Sequence, residues 1–328
     1  MSKGKRGDNN AVVPPAEFTS YYGRPIVKAA PWEHDIPAYL FLGGVAAGSS
    51  VLAAGADLTD RPALRRTGRL GALVALTLSM AALVHDLGRP ERFLTMLRVV
   101  KVTSPMSVGT WMLTVYGPFA GLAAGAELRG FLPRRLRNGL VGRTLGAGAT
   151  PAGLVAAAVA PALASYTAVL LSDTATPTWH DAHRHLPFVF VGSTCAASGG
   201  LGMIGAPLSE AGPARRLAVG GALLELAVER QMEQAMGITA EPLHAGHAGR
   251  LMRASQVLTL AGAAGAALFG GRSRAAAILA GAALMAGSAC LRFGVFDAGQ
   301  ASARDPRYTV VPQRERMAAR AATTPTGR

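Results

Sequence analysis

The chain has 328 residues, 50% of them hydrophobic and only 16% charged, with a formal net charge of +14. Its charge is confined to short intervals between long uncharged stretches, which excludes a soluble domain. Basic loops in a multi-pass protein reflect topology and anionic lipid, so the lipid bilayer is the expected partner and nucleic acid is not.

The chain opens with a polar arm, residues 1–35, whose first ten residues, "MSKGKRGDNN", have a disordered composition. The first apolar run, 36–56, begins too late and runs too long for a cleaved signal, so no processing is expected. Crossing a hydrocarbon core of ~30 Å takes about 20 helical residues. The uncharged runs 36–56, 106–126, 144–172, 186–209, 254–271 and 275–291 meet that length or approach it. Run 70–84 reaches it only by continuing through His85 and Asp86, and run 217–232 carries Glu225 and Glu229 inside an apolar sequence. These make helices seven and eight.

Small-residue patterns such as "GVAAG" (44–48) suit close helix approach in lipid. The alternation of a membrane β-barrel is absent. The expected fold is therefore an all-α integral membrane protein, a multi-pass bundle of about eight helices in the cell membrane with both termini on one side. Residues 36–294 form the transmembrane domain, and 295–328 form a tail whose end, "RERMAARAATTPTGR", has a disordered composition.

Alternating the loops between the two faces places equal numbers of arginines and lysines on each, so basic residues do not orient the chain. The histidines are different. His34, His85, His180, His183, His185, His244 and His247 all fall on the face that carries the termini, with Trp32, Trp111 and Trp179 on or near it. Either that face carries chemistry, or these residues are an interfacial belt.

Only His85 lies within a span, at its very end, so axial histidines paired across helices are missing and no haem is expected. Cys195 and Cys290 stand alone in apolar runs without C-x-x-C spacing, which excludes an iron–sulfur cluster in this chain. They read as packing residues. Electrons passing through this protein must then be handled by a partner subunit and a mobile carrier such as quinone. A quinone site needs an apolar slot, hydrogen-bond donors for two carbonyl oxygens, and titratable groups.

The stretch "PWEHDIPAYLFLGG" (31–44) supplies His34, Asp35 and Tyr39 at the mouth of the first span, with Asp35 and Tyr39 on one helical face. Tyr166 approaches from the fourth span, where it either meets Tyr39 or makes a helix–helix hydrogen bond. Ionisable residues at membrane depth are costly and more often functional than not, which marks His85 and Asp86 for proton exchange. Glu225 and Glu229, one turn apart, are either a proton path or a structural pair with an arginine such as Arg230. The segment 89–101 has the pattern of a short helix lying in the interface.

Four stretches then read together: "YYGRPIVKAAPWEHDIPAYLFLGGVAAG" (21–48), "HDLGRPERFLTMLRVVKVTSPMSVGTW" (85–111), "SYTAVLLSDTATPTWHDAHRHLPFVFVGSTCAASGG" (165–200) and "RFGVFDAGQASARDP" (292–306). They resemble the polysulfide reductase membrane-subunit family, NrfD/PsrC. The elements D-L-G-R-P-x-R-F and S-P-M-S-x-G-x-W in the second stretch are the most specific. The resemblance implies an integral subunit, not an enzyme alone, that exchanges electrons between menaquinone and a four-cluster ferredoxin-like iron–sulfur subunit joined to a molybdopterin catalytic subunit. It binds no metal itself. The quinone pocket it implies lies near His34, Asp35 and Tyr39. Tyr166 matches a contributing tyrosine, with Ala168 in place of the family's usual glycine. A formate dehydrogenase is the preferred partner, by analogy. The alternative from the residues alone is a proton-translocating or transport module using Glu225, Glu229, His85 and Asp86 without its own redox site.

Overall fold

The structure, a computed structural model, describes residues 24–87, 95, 98 and 100–323. The proposed interfacial helix at 89–101 lies mostly outside the described residues. Among the described residues the regular elements are all helical. Eight are long: α1 (Asp35–Leu58), α2 (Pro62–Asp86), α3 (Pro105–Glu127), α4 (Leu140–Ser172), α5 (Leu186–Gly205), α6 (Gly212–Met236), α7 (Gly246–Leu268) and α8 (Arg274–Arg304). A further helix, α9 (Arg307–Thr323), closes the described chain.

Six of these, α1, α2, α4, α5, α7 and α8, are long and apolar enough to cross a membrane. The set differs from the six uncharged runs singled out in the sequence. Helix α2 joins it because the arginine-rich turns before residue 70 are continuous with the apolar run, whereas α3, diluted by Trp111, Tyr116, Pro118 and several threonines and glycines, does not. Helix α6 is as long as the others but carries charge along its length. Its pattern is inverted for a soluble helix: Leu223 and Leu224 are exposed while Glu225 and Glu229 are buried. Exposed aliphatic side chains at Val74, Leu78, Val257, Leu260 and Leu279 extend the same outward apolar surface over α2, α7 and α8, as expected where lipid is the solvent.

Local signals account for the helix starts. Pro62 and Pro105 stand in the first turns of α2 and α3, where a missing N–H leaves no bond unmade. The first amides of α2 also find a remote acceptor, since Glu210 Oε2 takes the N–H groups of Ala63 (2.7 Å) and Leu64 (3.0 Å). Helix α1 is central, packing on α2, α4, α5 and α8, and most of its residues are buried. Close approach elsewhere depends on missing side chains. A Cβ on Gly192 of α5 would lie 2.6 Å from the backbone nitrogen of Glu225, so this glycine lets α5 and α6 touch.

Three boundaries depart from the sequence reading. Helix α7 starts at Gly246 rather than 254, because Arg250 and Arg253 are carried on its exposed side. Helix α8 does not end near 291 but runs to Arg304, through the first ten residues assigned to the tail. The part of the disordered-looking end from 314 to 323 is helical, within α9.

The end of the bundle away from the histidines is tied by a four-residue ion network. Asp57 of α1 and Glu127 of α3 hold Arg65 and Arg69 of α2 at 2.7–3.2 Å, and the Thr150 hydroxyl donates to Asp57 Oδ2 at 2.8 Å. Arg69, only 5% exposed, also donates to the Ala149 carbonyl. Four helices are thereby clamped at one level.

Candidate functional site

At the histidine-bearing end, α1, α2, α3 and α4 enclose a narrow slot of about 40 Å³. Ile36, Leu83, Met106, Leu113 and Leu170 make its walls apolar, and Trp32 covers one side. Its polar groups are Tyr39 from α1, Asp86 from the end of α2, Thr110 from α3 and Tyr166 from α4. Tyr39 and Tyr166, 127 residues apart in the sequence, thus line one cavity.

The S-P-M-S-x-G-x-W element now has a physical meaning. The Tyr166 hydroxyl donates to the Pro105 carbonyl at 2.5 Å. The absent side chain of Gly109 leaves the space that the Tyr166 ring fills. Met106 and Thr110, on the same face of α3, line the slot. The motif therefore seats Tyr166 and supplies one wall.

The aspartates divide the work differently from their sequence spacing. Asp86 lines the slot and accepts the Glu33 backbone N–H at 3.2 Å, while Asp35 stands at the rim, bound to His85 Nδ1 at 2.7 Å. His85 is largely exposed, so this pair faces the exterior. His34 is not in the slot. Its Nε2 lies 3.5 Å from Asp297 of α8, and its ring stacks on Phe293. Asp297 also binds His247 Nδ1 at 2.7 Å. His34, His247 and Asp297 line a second, open cavity of about 760 Å³.

Trp32 lines both cavities and so forms the partition between them. It stacks on Trp179, whose centroid is 5.9 Å away, and its backbone carbonyl and that of Ala30 accept from the Gln300 side chain. Trp179 is itself fully buried, with its indole N–H on the Val295 carbonyl at 2.8 Å. The sequence reading named the two tyrosines that line this cavity; it did not name Thr110 and Met106, which line it too, or Gln300. The quoted motif was the signal for Thr110 and Met106; Gln300 lay within the quoted stretch 292–306 but was not singled out.

Glu225 and Glu229 lie elsewhere, between α6, α7 and α8. Glu225 accepts from the Thr259 hydroxyl at 3.1 Å and Glu229 from the Gln256 amide at 3.2 Å. The arginine facing Glu225 is Arg292 of α8, fully buried, and not the exposed Arg230. Arg292, the first charge after the uncharged run 275–291, sits inside, donating to the Phe190 carbonyl at 2.8 Å with its guanidinium 3.7 Å from the Phe190 ring centre. Among the described residues no group of three or more histidine, cysteine or acidic side chains has the arrangement of a metal site.

An integral membrane bundle of apolar helices with an enclosed slot of two phenols and a carboxyl defines the class: a membrane protein whose buried polar site opens at one end. Compared with known families, the chain matches the model described as polysulphide reductase, NrfD, over residues 26–227. The match covers well over half the sequence, and the chain belongs to this family. Every slot residue, from Trp32 to Leu170, falls inside the matched stretch, whereas Glu229 and Arg292 fall beyond it. None of the curated proteins matches the chain. Family membership makes it a membrane subunit of a redox complex, a type that associates with oxidoreductase subunits.

Proposed function

We propose that the chain is the quinone-reactive anchor of a molybdopterin oxidoreductase, exchanging electrons between a partner iron–sulfur subunit and menaquinone in the cell membrane. The observation that carries this reading is the slot, with apolar walls, two phenols, a hydroxyl and a carboxyl. That set fits a quinone: the Tyr39 phenol donates to one carbonyl oxygen and a carboxyl able to hold a proton faces the other, while the Tyr166 and Thr110 hydroxyls are held by backbone carbonyls. Menaquinone, once bound, supplies a two-electron, two-proton couple. The chain's residues do the rest.

The Tyr39 hydroxyl orients the head group by donating to one of its oxygens, while Tyr166, whose proton is held by the Pro105 carbonyl, forms the wall beside it. Asp86 holds a proton at the slot, and the rim pair His85–Asp35 relays protons between it and the exterior. His34 acts at one remove, fixing Asp297 and the wall behind Trp32. The slot as it stands is slimmer than a naphthoquinone ring, so binding requires the side chains of Leu83, Met106 and the Asp86–Leu87 turn to move apart. Glu225 and Glu229 carry protons within the second half of the bundle. All eight long helices span in this reading, with α6 exposing leucines to lipid, and both termini lie on the histidine-bearing side.

The partners are a four-cluster ferredoxin-like subunit and a molybdopterin catalytic subunit, with formate dehydrogenase preferred. The open cavity beside Trp32 lies on the side where a donor protein would dock. A mild-detergent pull-down of the tagged chain, read by mass spectrometry and EPR, tests the assembly. Co-purified iron–sulfur signals with a molybdopterin enzyme are expected; a colourless single protein overturns it.

A second reading has its own observation. The buried acids Glu225 and Glu229 facing Arg292 suit a proton-translocating or transport module without a redox site. Proton movement in vesicles stripped of quinone would favour it.

A further inference from the structure

Buried ionisable groups in a lipid-facing bundle are expensive: an arginine or aspartate at mid-membrane costs roughly 2.5–3.5 kcal/mol on insertion scales, so such groups face one another or a path. On α6, Glu233, Glu229 and Glu225 follow at four-residue intervals, a rise of about 6 Å each. The ladder begins at the histidine-bearing end, where His244 Nε2 lies 3.7 Å from Glu233. It ends at Arg292. One carboxylate oxygen on each glutamate, and Nε and Nη1 of Arg292, are buried without a hydrogen-bond partner among the described residues. Five such atoms are the kind of group that internal water satisfies. Arg292 reaches α1 at Gly44, where a Cβ would lie 3.6 Å from its Nη2 and 2.6 Å from the Thr194 hydroxyl.

From the other end, a second polar series enters through different helices. Inside the Arg65–Arg69–Asp57–Glu127 network, Arg69 and Ser50 border a small cavity of about 10 Å³, close to the room one water needs. Ser50 and Tyr116 hydroxyls are 2.7 Å apart, and the Tyr116 hydroxyl donates to the Ala46 carbonyl at 2.7 Å. Tyr116 has one proton, which Ala46 takes, so Ser50 donates to Tyr116 and offers a lone pair to the cavity. The hydrogen-bond chain has a direction.

The two series reach α1 within one turn but on different sides of it. At about 100° per residue, Gly44 and Gly48 face α5 and Ala46 and Ser50 face α3. Ser49 lies on the arc between them, and its buried hydroxyl has no partner among the described residues.

We infer that the chain carries a proton route across the whole bundle: an acid ladder on α6 from one end, a serine–tyrosine chain from the arginine network at the other, joined around α1 at Ser49. The inference rests on the reading of Glu225 and Glu229 as proton carriers, and extends it to residues outside the quinone slot. The two halves lie in different helix groups, with the α1 backbone as the barrier between them.

The test uses the full chain in sealed vesicles, without partner subunits, so it stands apart from the quinone reading. In a Cys195→Ala, Cys290→Ala background, Ser50→Cys and Thr259→Cys are exposed to a membrane-impermeant cationic thiosulfonate from one side at a time. Ser50→Cys should react only from the arginine-network side and Thr259→Cys only from the histidine side, each at least tenfold faster than the apolar control Ala160→Cys. Ala53→Cys, on the same small cavity, serves if Ser50→Cys does not insert. Rates at the control level, or reaction of both from one side, overturn the two-sided route. Under a potassium diffusion potential, wild-type vesicles should take up protons at least fivefold faster than Ser49→Ala vesicles; equal rates overturn the junction.

Discussion

Adding one methyl group at Gly109 should disable the slot while leaving every polar side chain in place. A Cβ there would overlap the ring and hydroxyl of Tyr166, which is 5% exposed and enclosed by α3 and α4. The ring cannot tilt away without breaking its bond to the Pro105 carbonyl. Overpacking of this kind costs about 1–3 kcal/mol, and leaving a buried hydroxyl or carbonyl unpaired costs a further 1–3 kcal/mol or so. Because one movement relieves the first by causing the second, about 1–3 kcal/mol is expected. If that falls on the quinone-bound state, it is a loss of roughly 5- to 160-fold in quinone turnover. Tyr166→Phe removes only the hydroxyl and should lose less, on the order of 1 kcal/mol in stability. The assay is a double-mutant cycle on the purified complex, reading thermal unfolding and quinone turnover for Gly109→Ala, Tyr166→Leu and the pair. The pair should recover most of the lost stability but none of the turnover, with a coupling of at least about 1 kcal/mol. Additive effects, or a Gly109→Ala protein with wild-type turnover, would refute the claim that Gly109 exists to seat Tyr166.

Further outcomes follow from single side chains. Arg69→Met should leave Asp57 and Glu127 buried with half their counter-charge, lowering stability by about 3–5 kcal/mol in detergent unfolding, and Arg69→Lys should recover part of it; an unchanged midpoint would show the network to be solvated. Glu210→Ala should remove the acceptor of the Ala63 and Leu64 amides and lower stability by about 0.5–2 kcal/mol, read by the same unfolding, with quinone turnover per folded molecule unchanged. Trp179→Phe should lose the indole bond to the Val295 carbonyl, about 0.5–1.5 kcal/mol, and loosen Trp32, seen as faster quenching of Trp32 fluorescence by an aqueous quencher. No change in quenching would mean that Trp32 does not depend on Trp179 for its place.

What the sequence made legible was decided by locality. Long uncharged runs mark α1, α4 and α5 almost to their ends, because hydropathy along one segment is a local property. Helix α8 was cut short at Arg292 for the same reason: an arginine reads as a membrane edge until a partner 67 positions earlier, Glu225, is known to face it. Arg230 looked like that partner only by proximity. Five residues along a helix are about 140° around it, which turns Arg230 outward when Glu225 points in. Within the site, Tyr39 and Tyr166 were found from residue type and depth. The exchange of roles between Asp35 and Asp86 was not, since it depends on how the last turn of α2 is rotated against the first turn of α1, where Asp35 binds His85 and leaves Asp86 to the slot. His34, adjacent to Asp35, points to α8 instead because consecutive helical residues diverge by about 100°.

The central claim is that the slot holds the quinone. It is tested most directly by comparing two activities of one purified complex, menaquinone-linked turnover and artificial-dye turnover at the partner subunit, in wild type, Tyr39→Phe and Asp86→Asn. The account predicts that both substitutions lower quinone-linked turnover at least tenfold while dye-linked turnover stays within twofold of wild type. Undiminished quinone turnover in both variants, with the complex intact, would contradict it.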